Sequence, residues 1–185
     1  MTTSQFCNRT LNTDEAKILV SAQTWFNDSF PAAITKSRAG CLYRALAMIT
    51  AANEHGHRWV PQAGTCYWPR LDEDQDDGTN PHLQFGYAWS PDDPRSKQAT
   101  LNGYLPEIHV WAGDPATGMI IDPTTGFFPA QCQALLGRDW PGTRPPTVFW
   151  GGPDDLPARA LYEPHRDACL LAADCMAHAC THFRC

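Results

Sequence analysis

The chain has 185 residues, enough for one domain with a sizeable buried core, and we expect a single domain over residues 1–185. The formal net charge of −6 argues against general binding to nucleic acid or to anionic membranes. No apolar run is long enough to span a bilayer, and the first residues lack the basic start and apolar stretch of a secretion signal. These features predict a cytoplasmic protein, or one secreted as an effector without an N-terminal signal.

The 16 prolines and 13 glycines indicate many turns, as in a loop-rich α+β protein. Eight cysteines are many for a cytoplasmic chain, but a chain of this length does not need a disulfide framework. A free nucleophilic cysteine would leave an odd number, which also argues against complete pairing.

The first predicted helix opens at Thr13, a capping residue that two acidic residues follow. Its apolar side is formed by Ile18, Leu19, Ala22, Trp25 and Phe26. The polar residues 27–29 and Pro31 end this helix, and a loop leads from there to the next one.

The second predicted helix begins at Cys41, directly after Gly40, and ends near Gly56, which can adopt the left-handed conformation that closes a helix. Its apolar positions recur at steps of three and four residues: Leu42, Ala45, Leu46, Ile49 and Ala52. Cys41 therefore lies in the first turn, where unpaired N–H groups and the helix dipole favour a thiolate over a thiol. A thiolate is the nucleophilic form of cysteine, although most free cysteines are simply small buried side chains.

Strands are predicted at residues 58–60, 65–68 and 82–89, where aromatic and β-branched side chains cluster or alternate. The acidic run between Leu71 and Pro81 has some likeness to a calcium-binding loop, with Asp72, Asp74, Asp76 and Gly78. The glycine falls one place late and no helix flanks the run, so a solvated loop is the favoured interpretation.

Residues 105–112 and 119–124 form a predicted antiparallel hairpin around a turn rich in Gly, Asp and Pro. If Ala112 pairs with Met119, His109 lies directly opposite Asp122 and their side chains point to the same face. A register shift by one residue would separate them. A short helix at 129–136, a strand at 147–150 and a C-terminal helix over about 164–181 complete the predicted elements.

Three motifs follow one another along the chain: Gly40-Cys41 on a helix, Glu107 to Trp111 on a strand and Gly118 to Thr124 on the next strand. In this order they resemble the transglutaminase-like superfamily of papain-like cysteine enzymes. The resemblance covers roughly residues 37–124. It implies a papain/transglutaminase-like α+β fold, with a helical N-terminal part packed on an antiparallel sheet. It also implies that Cys41 is the nucleophile, His109 the general base and acid, and Asp122 the carboxylate that orients the histidine.

The implied reaction is acyl transfer from an amide through a thioester, without a cofactor, on a protein or peptide substrate carrying a glutamine or another amide. A peptidase or glutamine deamidase, a transglutaminase that joins glutamine to an amine, and an inactive binding module on the same fold all stay open. The backbone N–H of Cys41 is the first candidate to stabilise the oxyanion. Further oxyanion or substrate-binding candidates are Gly40, Trp111, Gln62 and Trp25, with Gln23 as another choice.

One other cluster has metal-ligand character. Cys175, His178 and His182 would share one face of the C-terminal helix and are weak candidates for zinc ligands. No pair of cysteines with the spacing of a zinc site supports them, so a plain terminal helix is favoured.

Overall fold

The computed structural model describes residues 6–37, 40–75, 83–89 and 108–183. Within these ranges the helices are α1 (Thr13–Ser29), α2 (Ala32–Thr35), α3 (Cys41–Glu54), α4 (Phe128–Leu136) and α5 (Arg166–Phe183). The strands are β1 (Val60–Pro69), β2 (Gln84–Tyr87), β3 (His109–Asp114), β4 (Met119–Asp122), β5 (Phe149–Gly151) and β6 (Leu161–Pro164). The fold is thus a mixed α+β fold, as the composition predicted.

The strands form one curled antiparallel sheet in which β1 pairs with three other strands. The first half of β1 pairs with β3, and its second half pairs with β2. Both lie on the same edge of β1, because β6 pairs with the opposite edge at Gly64 and Cys66. Strands β4 and β5 continue the sheet beyond β3.

Strands β2 and β3 lie end to end along the edge of β1. Tyr87, the last residue of β2, is opposite Cys66, and His109, the first residue of β3, is opposite Gly64. Since Cys66 and Gly64 are two residues apart on one strand, the side chains of Tyr87 and His109 point to the same face of the sheet.

Each face of the sheet has its own core. Helices α1, α3 and α5 cover the first face, where Ile18, Ala45 and Ala172 pack against Val110 and other strand residues. The second face carries an aromatic cluster beneath α4 that includes Trp68, Trp111, Phe128, Phe149 and Tyr162. His109 and Asp122 belong to this second face, so the polar site is built into an aromatic core.

Several predicted boundaries are confirmed. Helix α3 begins at Cys41 and is followed by Gly56 at φ +85°, and α4 ends before Gly137 at φ +64°. The cap of α1 was assigned to the wrong residue, because Asn12 rather than Thr13 accepts the N–H groups of Asp14 and Glu15.

Three predictions about the strands and the C-terminal helix were wrong in detail. The strands predicted at 58–60 and 65–68 are not separate: one strand, β1, runs from Val60 to Pro69, and residues 58 and 59 precede it. The C-terminal helix starts at Arg166, since Pro164 is the last residue of β6, which was not predicted. The hairpin pairs Asp114 with Met119 and Ala112 with Ile121, a shift of two residues from the predicted register.

Parts of the predictions lie outside the described residues: the loop at 90–96, Asp76 and Gly78 of the acidic run, and residues 105–107 before β3. In the described part of the chain, no helix is both long and apolar enough to cross a membrane.

Candidate active site

The centre of the site is a buried hydrogen bond between two neighbouring strands. His109 Nε2 donates to Asp122 Oδ2 at 2.6 Å, and the two side chains are 2% and 0% exposed. The two-residue shift of register leaves both side chains on the same face, so the predicted contact forms diagonally instead of directly across the hairpin.

Asp122 is fully satisfied by four hydrogen bonds. Besides His109, the hydroxyl of Tyr162 donates to Oδ2 at 2.6 Å, while the N–H and hydroxyl of Thr124 donate to Oδ1 at 2.8 and 2.6 Å. Trp68 Nε1 in turn donates to the Tyr162 hydroxyl at 3.1 Å. Buried donors from Trp68, Tyr162 and Thr124 therefore fix the orientation of the Asp122 carboxylate.

Cys41 interacts with this pair from the start of α3. It is the first residue of α3, and the interaction of its thiol with the His109 side chain helps to raise the pKa of the imidazole. Because Nε2 is occupied by Asp122, the ring nitrogen left for the thiol is Nδ1. Cys41 is partly exposed, whereas the histidine and aspartate behind it are not.

A second thiol, which was not predicted, lies in the same group. Cys66 on β1 is fully buried, and its sulfur lies within 4.8 Å of ligand atoms of both His109 and Asp122. Burial and then the neighbouring carboxylate raise the pKa of Cys66 well above its ordinary value, despite a hydrogen bond with Tyr162. These surroundings favour the neutral thiol.

The charges of the central pair stabilise each other. Burial opposes the charge on His109, but Asp122 and then Cys41 raise the pKa of His109 to about 10. Burial likewise opposes the charge on Asp122, but His109, Thr124 and Tyr162 hold the pKa of the carboxyl below its usual value. The stable state of the pair is imidazolium beside carboxylate.

Aromatic rings hold the imidazole in place. Tyr87 stacks on His109 with centroids 5.3 Å apart and planes within 10° of parallel. Phe128 meets the ring edge-on at 5.4 Å, and Trp111 lies at 6.0 Å. Burial raises the pKa of the Tyr87 hydroxyl, so this ring stays neutral beside the imidazolium.

The oxyanion candidates predicted from the sequence lie in different parts of the structure. Gly40 precedes Cys41 directly and is buried at the start of α3. Trp111 is 2% exposed and packs on Tyr162 as well as near His109, so it supports the site from the core side.

The other two candidates are placed elsewhere. The side chain of Gln62 lies over Gly113, toward the hairpin turn, and the ring of Trp25 packs edge-on against Phe30 at 5.5 Å. Within the described residues, neither side chain stacks on His109 or hydrogen-bonds to it. Gln23 is exposed and bonds to Asn27.

The weak zinc candidates on the terminal helix do not converge. Among the residues that the structure describes, the one group of three metal-ligating side chains with atoms close together is Cys66, His109 and Asp122. Cys175 is only partly buried there, and His178 and His182 are exposed. The central group suits a proton relay better than a cation, since its nitrogen and both carboxylate oxygens already form hydrogen bonds with each other or with donors.

Sequence reasoning missed Cys66, Tyr162 and Phe128 as parts of the site, and it left Tyr87 open between the core and the lining of a substrate groove. Thr124 has a local signal, because a threonine two residues after an aspartate favours a turn in which its N–H meets the carboxylate. No local sequence signal points to Tyr162, since this residue lies 40 positions from Asp122 in the chain.

The buried Cys-His-Asp arrangement is compatible with a cysteine enzyme. Comparisons with protein-family models, with curated proteins and with solved structures each returned no match.

Proposed function

We propose that this protein is a cysteine-dependent amide hydrolase or acyltransferase that works through a thioester on Cys41. The observation that carries the proposal is the path of interactions from the Cys41 thiol at the start of α3, through the His109 imidazole, to the buried Asp122 carboxylate. This path provides a nucleophile, a base and a group that orients the base, the three parts needed for covalent acyl transfer.

In the proposed reaction, Cys41 Sγ attacks the carbonyl carbon of an amide and a carbon–sulfur bond forms. The oxyanion lies near the N–H groups at the start of α3, where the helix dipole favours negative charge. His109 then gives its Nδ1 proton to the leaving nitrogen, the carbon–nitrogen bond breaks, and an amine or ammonia departs. Water or a second amine then attacks the thioester carbonyl and gives its proton to His109. The carbon–sulfur bond breaks, the carboxylic acid or the new amide leaves, and the Cys41 thiolate is restored.

Cys41 is the better nucleophile of the two thiols in the site. It is partly exposed and lies at a helix N-terminus, whereas Cys66 is completely buried in β1. A substrate carbonyl therefore has access to Cys41 alone. Cys66 serves in this proposal as a neutral packing group beneath the imidazole.

The order of the elements, with a cysteine helix followed by a histidine strand and an aspartate strand, also supports a transglutaminase-like or papain-like fold. The substrate we propose is a protein or peptide that presents a glutamine or another amide. Hydrolysis is the first choice, transfer to an amine the close alternative, and an inactive binding module the rival from another class.

The test is brief iodoacetamide treatment of the native protein at about pH 6, followed by mass spectrometry of the labelled peptides. An ordinary thiol, with a pKa of about 8.5, is almost wholly protonated at this pH. We expect selective labelling of Cys41 in the wild type. The label is lost in His109→Ala, because the thiolate then loses its counter-ion.

Two matched controls accompany this measurement. His55→Ala removes a partly exposed histidine that pairs with Asp14, and Cys66→Ala removes the buried thiol. Labelling of Cys41 is expected to persist in both. If iodoacetamide does not label Cys41 preferentially in folded wild-type protein, the enzyme proposal is wrong. An inactive binding module is then the remaining candidate.

A further inference from the structure

A groove of about 440 Å³ runs along the side of α1 and α3. Its walls are mainly apolar, and they include Val20 and Phe26 of α1, Met48 of α3, and Pro123 and Phe127 from the turn after β4. This volume lies within the range of small-molecule sites, about 300–1,000 Å³. Neither Cys41 nor His109 lines the groove, so it is separate from the proposed thiol chemistry.

The one charged side chain in the lining of this groove, as far as the described residues show, is Arg44. Its guanidinium lies over the rings of Phe26 and Phe127, 4.5 and 4.9 Å from their centroids. Nη2 donates to the Thr35 carbonyl at 3.0 Å, while Nε is buried without a partner among the described residues.

No described carboxylate neutralises Arg44. Burial lowers the pKa of its guanidinium, and no acidic group of the described residues acts in the opposite direction. Arginine nevertheless stays protonated in proteins, so the groove contains a positive charge that no described carboxylate neutralises. A charge held in apolar surroundings is costly unless it is paired, and the aromatic faces compensate it only in part.

Arg9 shows how the same chain treats another half-buried arginine. Its guanidinium forms a two-pronged ion pair with the Glu15 carboxylate and also donates to the Trp150 carbonyl at 3.0 Å. The contrast indicates that the partner of Arg44 is not among the described residues.

We infer that this groove binds a small amphipathic carboxylate, with its anionic group on Arg44 and its apolar part along α1. A guanidinium offers a planar set of donors that matches a carboxylate, and the apolar walls supply the remaining contact. The inference is independent of the proposed function, because it uses neither the thiol nor the imidazole.

Decanoate is the probe, and its binding to the full chain is measured by calorimetry and by the shift in melting temperature. We expect wild-type protein to bind decanoate at least tenfold more tightly than decanol, which has the same apolar chain without the charge. Decyl sulfate distinguishes carboxylate recognition from recognition of any anion. Equal binding of decanoate and decanol would overturn the inference without any variant.

Variants then locate the site. Arg44→Met retains much of the side-chain volume without the charge and is expected to weaken decanoate binding about tenfold. Arg58→Met, a change of the same charge at an exposed arginine, is expected to leave it unchanged. If Arg44→Met does not fold, Arg44→Lys is measured instead. This variant keeps the charge but lacks the planar guanidinium, and we expect its affinity for decanoate to be severalfold lower than that of wild type.

Cys41→Ala separates this inference from the proposed function. We expect the variant to bind decanoate like wild type, because the groove does not include the thiol. Loss of decanoate binding in this variant would place the ligand at the thiol and overturn the groove assignment. Failure of Cys41 labelling with intact decanoate binding would overturn the enzyme proposal alone.

Discussion

At the scale of single residues, the site depends on one carboxylate. Asp122 accepts hydrogen bonds from His109, Tyr162 and both donors of Thr124, and all four residues are buried. Tyr162 and His109 share the same oxygen, Oδ2. The tyrosine therefore acts on the imidazole through the carboxylate and is a positioning residue in the proposed reaction.

Tyr162→Phe removes only the hydroxyl of this residue. We expect the free energy of unfolding to fall by about 1.5–3 kcal/mol, the usual contribution of a hydrogen bond to a charged group. The pKa of His109 is expected to rise further, because Oδ2 then interacts with the imidazolium alone. Urea unfolding measures the first effect, and ¹⁵N NMR titration of the imidazole measures the second.

Tyr67→Phe is the matched control, since Tyr67 lies on the same sheet and is only partly buried. Its unfolding free energy is expected to change by less than about 0.5 kcal/mol. If Tyr162→Phe is as stable as this control and the pKa of His109 does not change, the Tyr162 hydroxyl does not position the pair.

At the scale of elements, local signals predicted the helices well and the strand pairing poorly. The start of α3 at Cys41 and its end before Gly56 follow from spacing and from one glycine, which are properties of neighbouring residues. The pairing of β1 with β6 depends on residues about 100 positions apart, for which one sequence contains no direct signal.

The register of the hairpin shows the same limit on a smaller scale. Gly113 and Asp114 were assigned to the turn, whereas both belong to β3 and the turn is Pro115 to Gly118. The Asp114 side chain closes this tighter turn by accepting from Ala116 N and Thr117 Oγ1, both at 2.9 Å. The shift was by two residues, so the face of His109 was still predicted correctly, as the period of a strand requires.

The junction of β1 with β6 is sensitive to a single added methyl group. At Gly64, opposite His109, a Cβ atom would lie 2.2 Å from the Glu163 carbonyl oxygen and 2.8 Å from His165 Cδ2. We expect Gly64→Ala to lower the free energy of unfolding by about 3 kcal/mol, because backbone must move to relieve the contact. Urea unfolding measures the loss.

Gly137→Ala is the control for this substitution. Gly137 has φ +64° and open space around it, so an alanine there has backbone strain of about 1–2 kcal/mol without a steric clash. If both variants lose the same stability, close packing of β6 on β1 is not what makes Gly64 necessary.

At the scale of the whole molecule, the central pair couples folding to pH. The pKa of folded His109 is raised to about 10, so its contribution is fully present below its ordinary value of 6.5 and is lost as pH rises through about 10. The pKa of folded Asp122 is lowered, so its contribution is present above 3.8 and is lost as pH falls through the folded value.

We therefore expect maximal stability between about pH 4 and 6.5, with a decline toward pH 10 of at most about 1.4 kcal/mol per pH unit from this pair. Urea unfolding at a series of pH values measures the profile. In Asp122→Asn the pKa of His109 is expected to fall, and the alkaline decline due to this pair disappears. A wild-type profile that Asp122→Asn leaves unchanged would contradict this account.

The residues of the proposed site fall into two groups along the chain, one before and one after the interruption between the end-to-end strands β2 and β3. Cys41 and its helix precede the interruption, whereas His109, Asp122 and Tyr162 all follow it. A cut of the peptide chain between β2 and β3 breaks no pairing among the described strands, because each of the two strands keeps its own part of the β1 edge. Two complementary fragments would then carry a thiol without a base and a base without a thiol, and the recovery of Cys41 reactivity on mixing would report their reassembly.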